Sequence, residues 1–194
     1  MWVGDSRAKS AAIRMKLLFI GPPGAGKGTQ AGKVAARLGI PHISTGEMFR
    51  DHVARGTPLG EKVEAIMAAG DYVPDEVTVA MLADRIAQPD ATGGFILDGF
   101  PRTAAQVESL DRLIGEDGLD EVIVFAVDER ELIDRMLSRA RADDSEDTIR
   151  NRFEIYQEQT QPLLDIYDAR RLIVTVDGSG EIDEVTDRIL SLLG

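Results

Sequence analysis

The decapeptide GPPGAGKGTQ, residues 21 to 30, follows the apolar run KLLFI (16 to 20) and sets one lysine, Lys27, among closely spaced glycines. Glycine weakens a helix interior by about 1 kcal/mol relative to alanine, so this density at the start of a helical pattern needs a separate cause. Between a strand and a helix, the spacing G-x-x-x-x-G-K lines up successive backbone N–H groups around phosphate oxygens, and side chains there would block the approach. Gly21, Gly24 and Gly26 permit the tight path, with Ala25 between the last two. The helix N-terminus adds partial positive charge, and Lys27 is placed to reach β- and γ-phosphates. Gly28 displaces the hydroxyl of the general G-K-[ST] form by one place, to Thr29. A glycine-rich turn without a ligand would explain the glycines alone, but not strand, spacing, lysine and helix together.

Three further stretches carry candidate chemistry. In ISTGEMFR (43 to 50), Ser44 and Glu47 have the spacing of a capping box, which leaves Thr45, Gly46 and Arg50 for other work. In GFILDGFPRTAAQ (94 to 106), Asp98 ends a strand that reads as buried, where a carboxylate is costly unless something needs it. An aspartate in that place serves Mg²⁺ or its waters. In DRMLSRARADDSEDTIRNR (134 to 152), Arg150 and Asp147 need no more than a solvated helix face, whereas Arg139, Arg141 and Arg152 bring three guanidiniums together. In a chain of net charge −12, such convergence points to a polyanion between them. No lysine follows Lys62, so phosphate contacts in the second half fall to the bidentate guanidinium fork.

The elements that must position these groups are legible from the apolar pattern. Strands are expected at 16–20, 41–44, 94–98, 122–127 and 172–176, each nearly continuous in apolar residues, as when both faces of a parallel sheet are covered. Helices are expected at 27–38, 45–54, 60–69, 75–87, 103–114, 129–140, 144–168 and 181–193. Strand and helix in alternation imply an open α/β sheet with right-handed crossovers, and ligands then collect at the carboxyl ends of the strands. The 194 residues suit one domain with a full core. Residues 1 to 14 read as a loose tail, which makes Met15 the alternative start. No apolar run is long enough to span a membrane. The acidic balance argues against broad nucleic-acid or anionic-membrane binding, and the lack of cysteine fits a reducing compartment, the cytoplasm by default. His42 and His52, with no carboxylate at metal spacing, read as structural.

These strings, in this order and over nearly the whole chain from Met15 onward, resemble the adenylate kinases, a family of nucleoside monophosphate kinases. The first is similar to their GxPGxGKGT loop, the second to STGD(M/L)(L/F)R, the third to DGFPRTxxQ and the fourth to their lid arginines. The resemblance implies an α/β, P-loop NTPase-type five-stranded parallel sheet flanked by helices. It implies a single kinase domain, 15–194, with a small helical NMP-binding insertion at 44–73 and a short lid at 138–144. It implies reversible, Mg²⁺-dependent, in-line transfer of the terminal phosphoryl group of ATP to AMP, giving two ADP, by a monomer with no nucleic-acid or membrane partner.

By the same resemblance, ATP falls to Gly24, Ala25, Gly26, Lys27, Gly28 and Thr29, with Arg135 stacking on its adenine and Arg139 and Gly180 beside it. AMP falls to Thr45, Gly46, Arg50, Asp71, Tyr72, Val73, Gly99, Phe100, Pro101, Arg102, Gln106, Arg141 and Arg152, with Gln106 reading the base. Lys27, Arg102, Arg139, Arg141 and Arg152 form the catalytic set, and Asp98 reaches Mg²⁺ through water. Asp143 and Asp144 match the family's paired aspartates, and Phe100-Pro101 resembles a peptide bond that is cis in the family. Only Ala140 separates Arg139 from Arg141, so the lid is a short loop, unlike the long bacterial type. Without cysteine it cannot be the Cys-ligated zinc lid of some relatives, and no zinc site is expected. UMP/CMP kinases share loop and lid but usually carry Ala and Asn where this chain has Thr45 and Gln106. A P-loop switch protein would instead require the NKxD string of guanine specificity, which is absent.

Overall fold

The computed structural model describes residues 14–115, 118–139 and 145–194. Five strands, β1 (Met15–Ile20), β2 (His42–Ser44), β3 (Gly94–Asp98), β4 (Glu121–Ala126) and β5 (Ile173–Asp177), form one sheet in the order β2-β3-β1-β4-β5. Every pairing is parallel. Helices α1 (Lys27–Leu38), α2 (Thr45–Ala54), α3 (Pro58–Ala69), α4 (Asp75–Ile86), α5 (Ala104–Ile114), α6 (Glu129–Arg139), α7 (Glu146–Ile155), α8 (Leu163–Ala169) and α9 (Ile182–Leu192) connect and cover them.

The unbroken apolar strands follow from burial on both faces. Side chains alternate across a strand. Leu17 and Phe19 of β1 therefore join Ile96, Ile123 and Phe125 in a core completed by α1 and α9. Leu18 and Ile20 point the other way and join Phe95, Leu97 and Val122 in a second core completed by Leu82, Leu110 and Tyr167 from α4, α5 and α8. Each fully buried Leu, Ile or Phe contributes about 1.5–3 kcal/mol, so the polar site is mounted on a rigid double-sided slab. A third, smaller cluster of Phe49, Val63 and Val73 holds α2 and α3 together. Those two helices approach so closely that a Cβ on Gly60 would stand 2.2 Å from the His52 carbonyl oxygen.

The expected elements recur with ends shifted by a residue or two, except in two places. Helix α3 begins at Pro58, earlier than the periodicity suggests, because the Thr57 hydroxyl accepts from Gly60 N at 3.1 Å and proline suits the first helical position. The single helix expected over 144–168 is instead α7, a π-helical turn at Tyr156–Thr160, and α8. Gln161 N donates to the Tyr156 carbonyl at 2.8 Å, one residue farther back than in an α-helix. Pro162 lacks an N–H for the 158 carbonyl, and its ring would clash there, so the widened turn is the local solution. The tail expectation for 1–14 lies, apart from Arg14, outside the described residues, and so does most of the 138–144 lid.

Candidate active site

The carboxyl ends of β1, β2 and β3 open into a cavity of about 740 Å³ that also reaches the turn after β5. Its floor is the loop after β1. Gly24 and Gly26 adopt φ of +84° and +85°, a region that side chains resist. At Gly24 a Cβ would also stand 2.6 Å from the Leu132 carbonyl oxygen, so α6 packs against bare backbone. Gly26 caps α1 without any side-chain hydrogen bond, which leaves the first-turn N–H groups aimed at the cavity. The Lys27 ammonium donates to the carbonyls of Gly21 at 2.7 Å and Pro22 at 2.9 Å and lines the same space. Arg135 spans from α6 to this loop and to the turn after β5, donating to the carbonyls of Ala25 and Gly178.

Asp98 closes β3 beside this floor, and its Oδ2 would lie 3.3 Å from a Cβ on Gly28. Burial opposes its charge most strongly, but His42, Lys27 and Arg102 together outweigh that and hold the carboxyl below its ordinary value. Asp98 is therefore an anion throughout the neutral range. His42 Nε2 stands 3.6 Å from Oδ2, an ion-pair distance beyond a hydrogen bond, and has no hydrogen-bond partner among the described residues. His52, by contrast, pairs its Nδ1 with the Thr57 hydroxyl at 2.9 Å, a structural role.

The other wall is built around Arg102. Its Nε donates to the Gly99 carbonyl at 2.7 Å, and the guanidinium lies 4.8 Å from the Tyr72 ring centroid. The Thr45 hydroxyl donates to the same carbonyl at 2.8 Å, which ties the start of α2 to the turn after β3. The peptide bond Phe100-Pro101 is cis, as expected. Gly99 has φ +79°, and a Cβ there would lie 2.8 Å from Arg102 Nη2 and 3.1 Å from Thr45 Oγ1. Gly99→Ala should push the guanidinium aside and weaken anion binding at the Arg102 wall roughly tenfold, with anion binding at the Lys27 loop retained. Titration of each end of the cavity would show it, and an equal loss at both would refute the local explanation.

Most residues singled out from the sequence meet in this one cavity. Gly24, Ala25, Gly26, Lys27, Gly28, Thr29, Thr45, Gly46, Arg50, Asp71, Tyr72, Val73, Asp98, Gly99, Pro101, Arg102, Gln106, Arg135, Arg152 and Gly180 all line it. Phe100 does not: its side chain, 1% exposed, packs into the core shared with Leu97 and Leu110. An aromatic ring follows apolar burial there, so Phe100 supports the turn from behind. Arg141, Asp143 and Asp144 lie outside the described residues, as does the side chain of Arg139.

Several contributors lie outside the four strings that carry candidate chemistry. Thr160, in the π-helical turn, donates to the Arg102 carbonyl at 2.9 Å and pairs with the Tyr72 hydroxyl at 2.8 Å. Tyr156, in the same turn, lines the cavity, and burial together with the charge of Tyr72 pushes its phenol up to about 12, so it stays protonated. Helix α7 docks on the end of α3: the Thr148 hydroxyl donates to the Ala68 carbonyl at 2.9 Å, and Asn151 Nδ2 to the Ala69 carbonyl and to Asp71 Oδ1 at 2.9 and 2.8 Å. These pairings join residues some eighty positions apart, beyond any local pattern.

Chemically, the cavity offers backbone donors, an ammonium and several guanidiniums, with the buried carboxylate of Asp98 held ionised beside the loop, a setting for phosphorylated ligands. A family model described as adenylate kinase matches residues 19–172. The chain is 51% identical over 182 residues to an adenylate kinase of Nocardia farcinica, covering 93% of this chain and 99% of that one. It is 55% identical over 185 residues to an adenylate kinase of a Nocardioides species, covering 92% and 97%. A third, from Kocuria rhizophila, is 50% identical over 184 residues, covering 92% and 98%.

Proposed function

The chain belongs to the adenylate kinase family, and from that premise we propose how its residues transfer the terminal phosphoryl group of ATP to AMP, giving two ADP. The observation that carries this reading is the meeting of Lys27, Arg50, Arg102 and Arg152 with the bare loop in one cavity. The loop's N–H groups and Lys27 hold the β- and γ-phosphates of ATP. Arg50 and Arg102 hold the phosphate of AMP against the β3 end, and Arg152, with Arg139 and Arg141 of the lid, covers the transferring group. The bond from the γ-phosphorus to its bridging oxygen breaks as an AMP phosphate oxygen attacks in line. That oxygen is already anionic, so no general base is needed, and catalysis is positioning plus charge stabilisation.

Mg²⁺ fits the donor set as a passenger on the nucleotide. Asp98 is an ionised carboxylate beside the phosphate loop, a group that would hold, through water, an ion that keeps most of its waters. Bound there, the ion supplies charge neutralisation on the phosphates, and Asp98 orients its water shell. The segment 44–73 acts as a flap that excludes water, since an open site would pass the phosphoryl group to solvent; the lid expected at 138–144 lies mostly outside the described residues. The enzyme works as a cytoplasmic monomer; among the described residues no helix is long and apolar enough to cross a membrane. Coupled assays with AMP, CMP, UMP and GMP as acceptors for Mg·ATP test the acceptor. AMP should lead by at least roughly tenfold in kcat/KM, and a lead for CMP would overturn the proposal.

A further inference from the structure

We propose that Asp75 is a positioning residue for base recognition: it fixes the Gln106 amide in one orientation and so favours a 6-aminopurine over a 6-oxopurine at the AMP position. The proposal rests on the assignment of Gln106 to the AMP base. Gln106 is 2% exposed and lines the cavity, whereas Asp75 is not among the lining residues, so any influence of Asp75 on the ligand passes through its neighbour.

Both ends of the Gln106 amide are held. Arg102 N donates to Oε1 at 2.8 Å, and Nε2 donates to Asp75 Oδ1 at 2.6 Å. The second Asp75 oxygen accepts from the Thr103 hydroxyl at 2.9 Å, and that hydroxyl accepts from Gln106 N at 3.2 Å, closing a ring of bonds at the start of α5. A backbone N–H only donates and a carboxylate only accepts. Turning the amide over would oppose donor to donor at Arg102 and acceptor to acceptor at Asp75, and buried unpaired groups are costly. What remains free is one N–H and one oxygen lone pair, in a fixed order. For a base seated in one pose, adenine's 6-amino group donates to that oxygen while its ring nitrogen accepts from the N–H. A 6-oxopurine presents the opposite order. Without Asp75 only the Arg102 N–H orders the amide, and the order can reverse.

A plain structural reason for Asp75 also exists, because an acidic side chain suits the first turn of α4. The test separates the two. AMP and inosine monophosphate, a 6-oxopurine lacking the 2-amino group, serve as acceptors for Mg·ATP. In Asp75→Ala the ratio of kcat/KM for AMP to that for inosine monophosphate should fall about tenfold, with kcat for AMP held within about twofold and KM for ATP unchanged. Asp75→Asn, which keeps an acceptor for Nε2, should restore most of the ratio. Gln106→Ala should collapse the ratio by itself, and adding Asp75→Ala to it should change nothing further. Equal losses for both acceptors in Asp75→Ala, with a lowered melting temperature, would overturn the proposal, as would a ratio shift that persists without Gln106. A Gln106→Ala enzyme with an unchanged ratio would overturn the base assignment itself and the proposal with it.

Discussion

A Lys27→Met enzyme should fold, bind AMP, and turn over roughly 10²–10³-fold more slowly. The ammonium stands at the mouth of the phosphate loop, held by the carbonyls of Gly21 and Pro22, beside a carboxylate kept ionised in part by its charge. Methionine keeps the length and loses the charge that the γ-phosphoryl oxygens need as negative charge redistributes during transfer. Gly21, one of the two residues whose carbonyl the substitution releases, lines the cavity, where water can replace the ammonium, so little stability should go with the lysine. Paired measurements of kcat and of the thermal midpoint decide it. A midpoint lowered by more than about 5 °C, near 2 kcal/mol for a chain this size, would mean that Lys27 mainly braces the loop.

An Arg102→Ala enzyme should lose roughly 10²–10³-fold in kcat/KM for AMP, and its affinity for ATP should hold. The guanidinium is aimed by the Gly99 carbonyl and by the face of Tyr72, and both aim it into the half of the cavity that Thr45 and Gln106 share. Its main-chain atoms do separate work: the N–H holds Gln106 and the carbonyl accepts from Thr160. Truncating the side chain leaves both bonds, so the variant should still prefer AMP among acceptors while using all of them poorly. Arg102→Lys should rescue little, because an ammonium offers no bidentate fork and no planar surface for the ring. Steady-state kinetics with a direct ATP titration check this, and matching losses for both nucleotides would contradict the assignment.

What could be read from the chain before folding is what chemistry packs into contiguous strings. The phosphate loop, the turn after β3 and the start of α2 each place their working groups within a dozen residues, so spacing alone exposes them. The parallel sheet was legible for a related reason, since strands covered on both faces cannot alternate. Asp75 stayed hidden because its partner is 31 positions away and its own surroundings explain it as a helix-start acid. Thr160 is hidden in one long amphipathic pattern, and only the widened turn before Pro162 aims it at Arg102 and Tyr72. Phe100 shares a string with ligand-facing neighbours, but its aromatic ring joins the interior beneath them.

The contacts from Thr148 and Asn151 to residues 68–71 fasten the helix bearing Arg152 to the segment bearing Tyr72 and Val73. In the proposed reaction such a tether couples the two nucleotides, and whatever factor the first lends to the second is, by linkage, returned in equal measure. The order in which donor and acceptor arrive then leaves no mark on the equilibrium, only on the path to it.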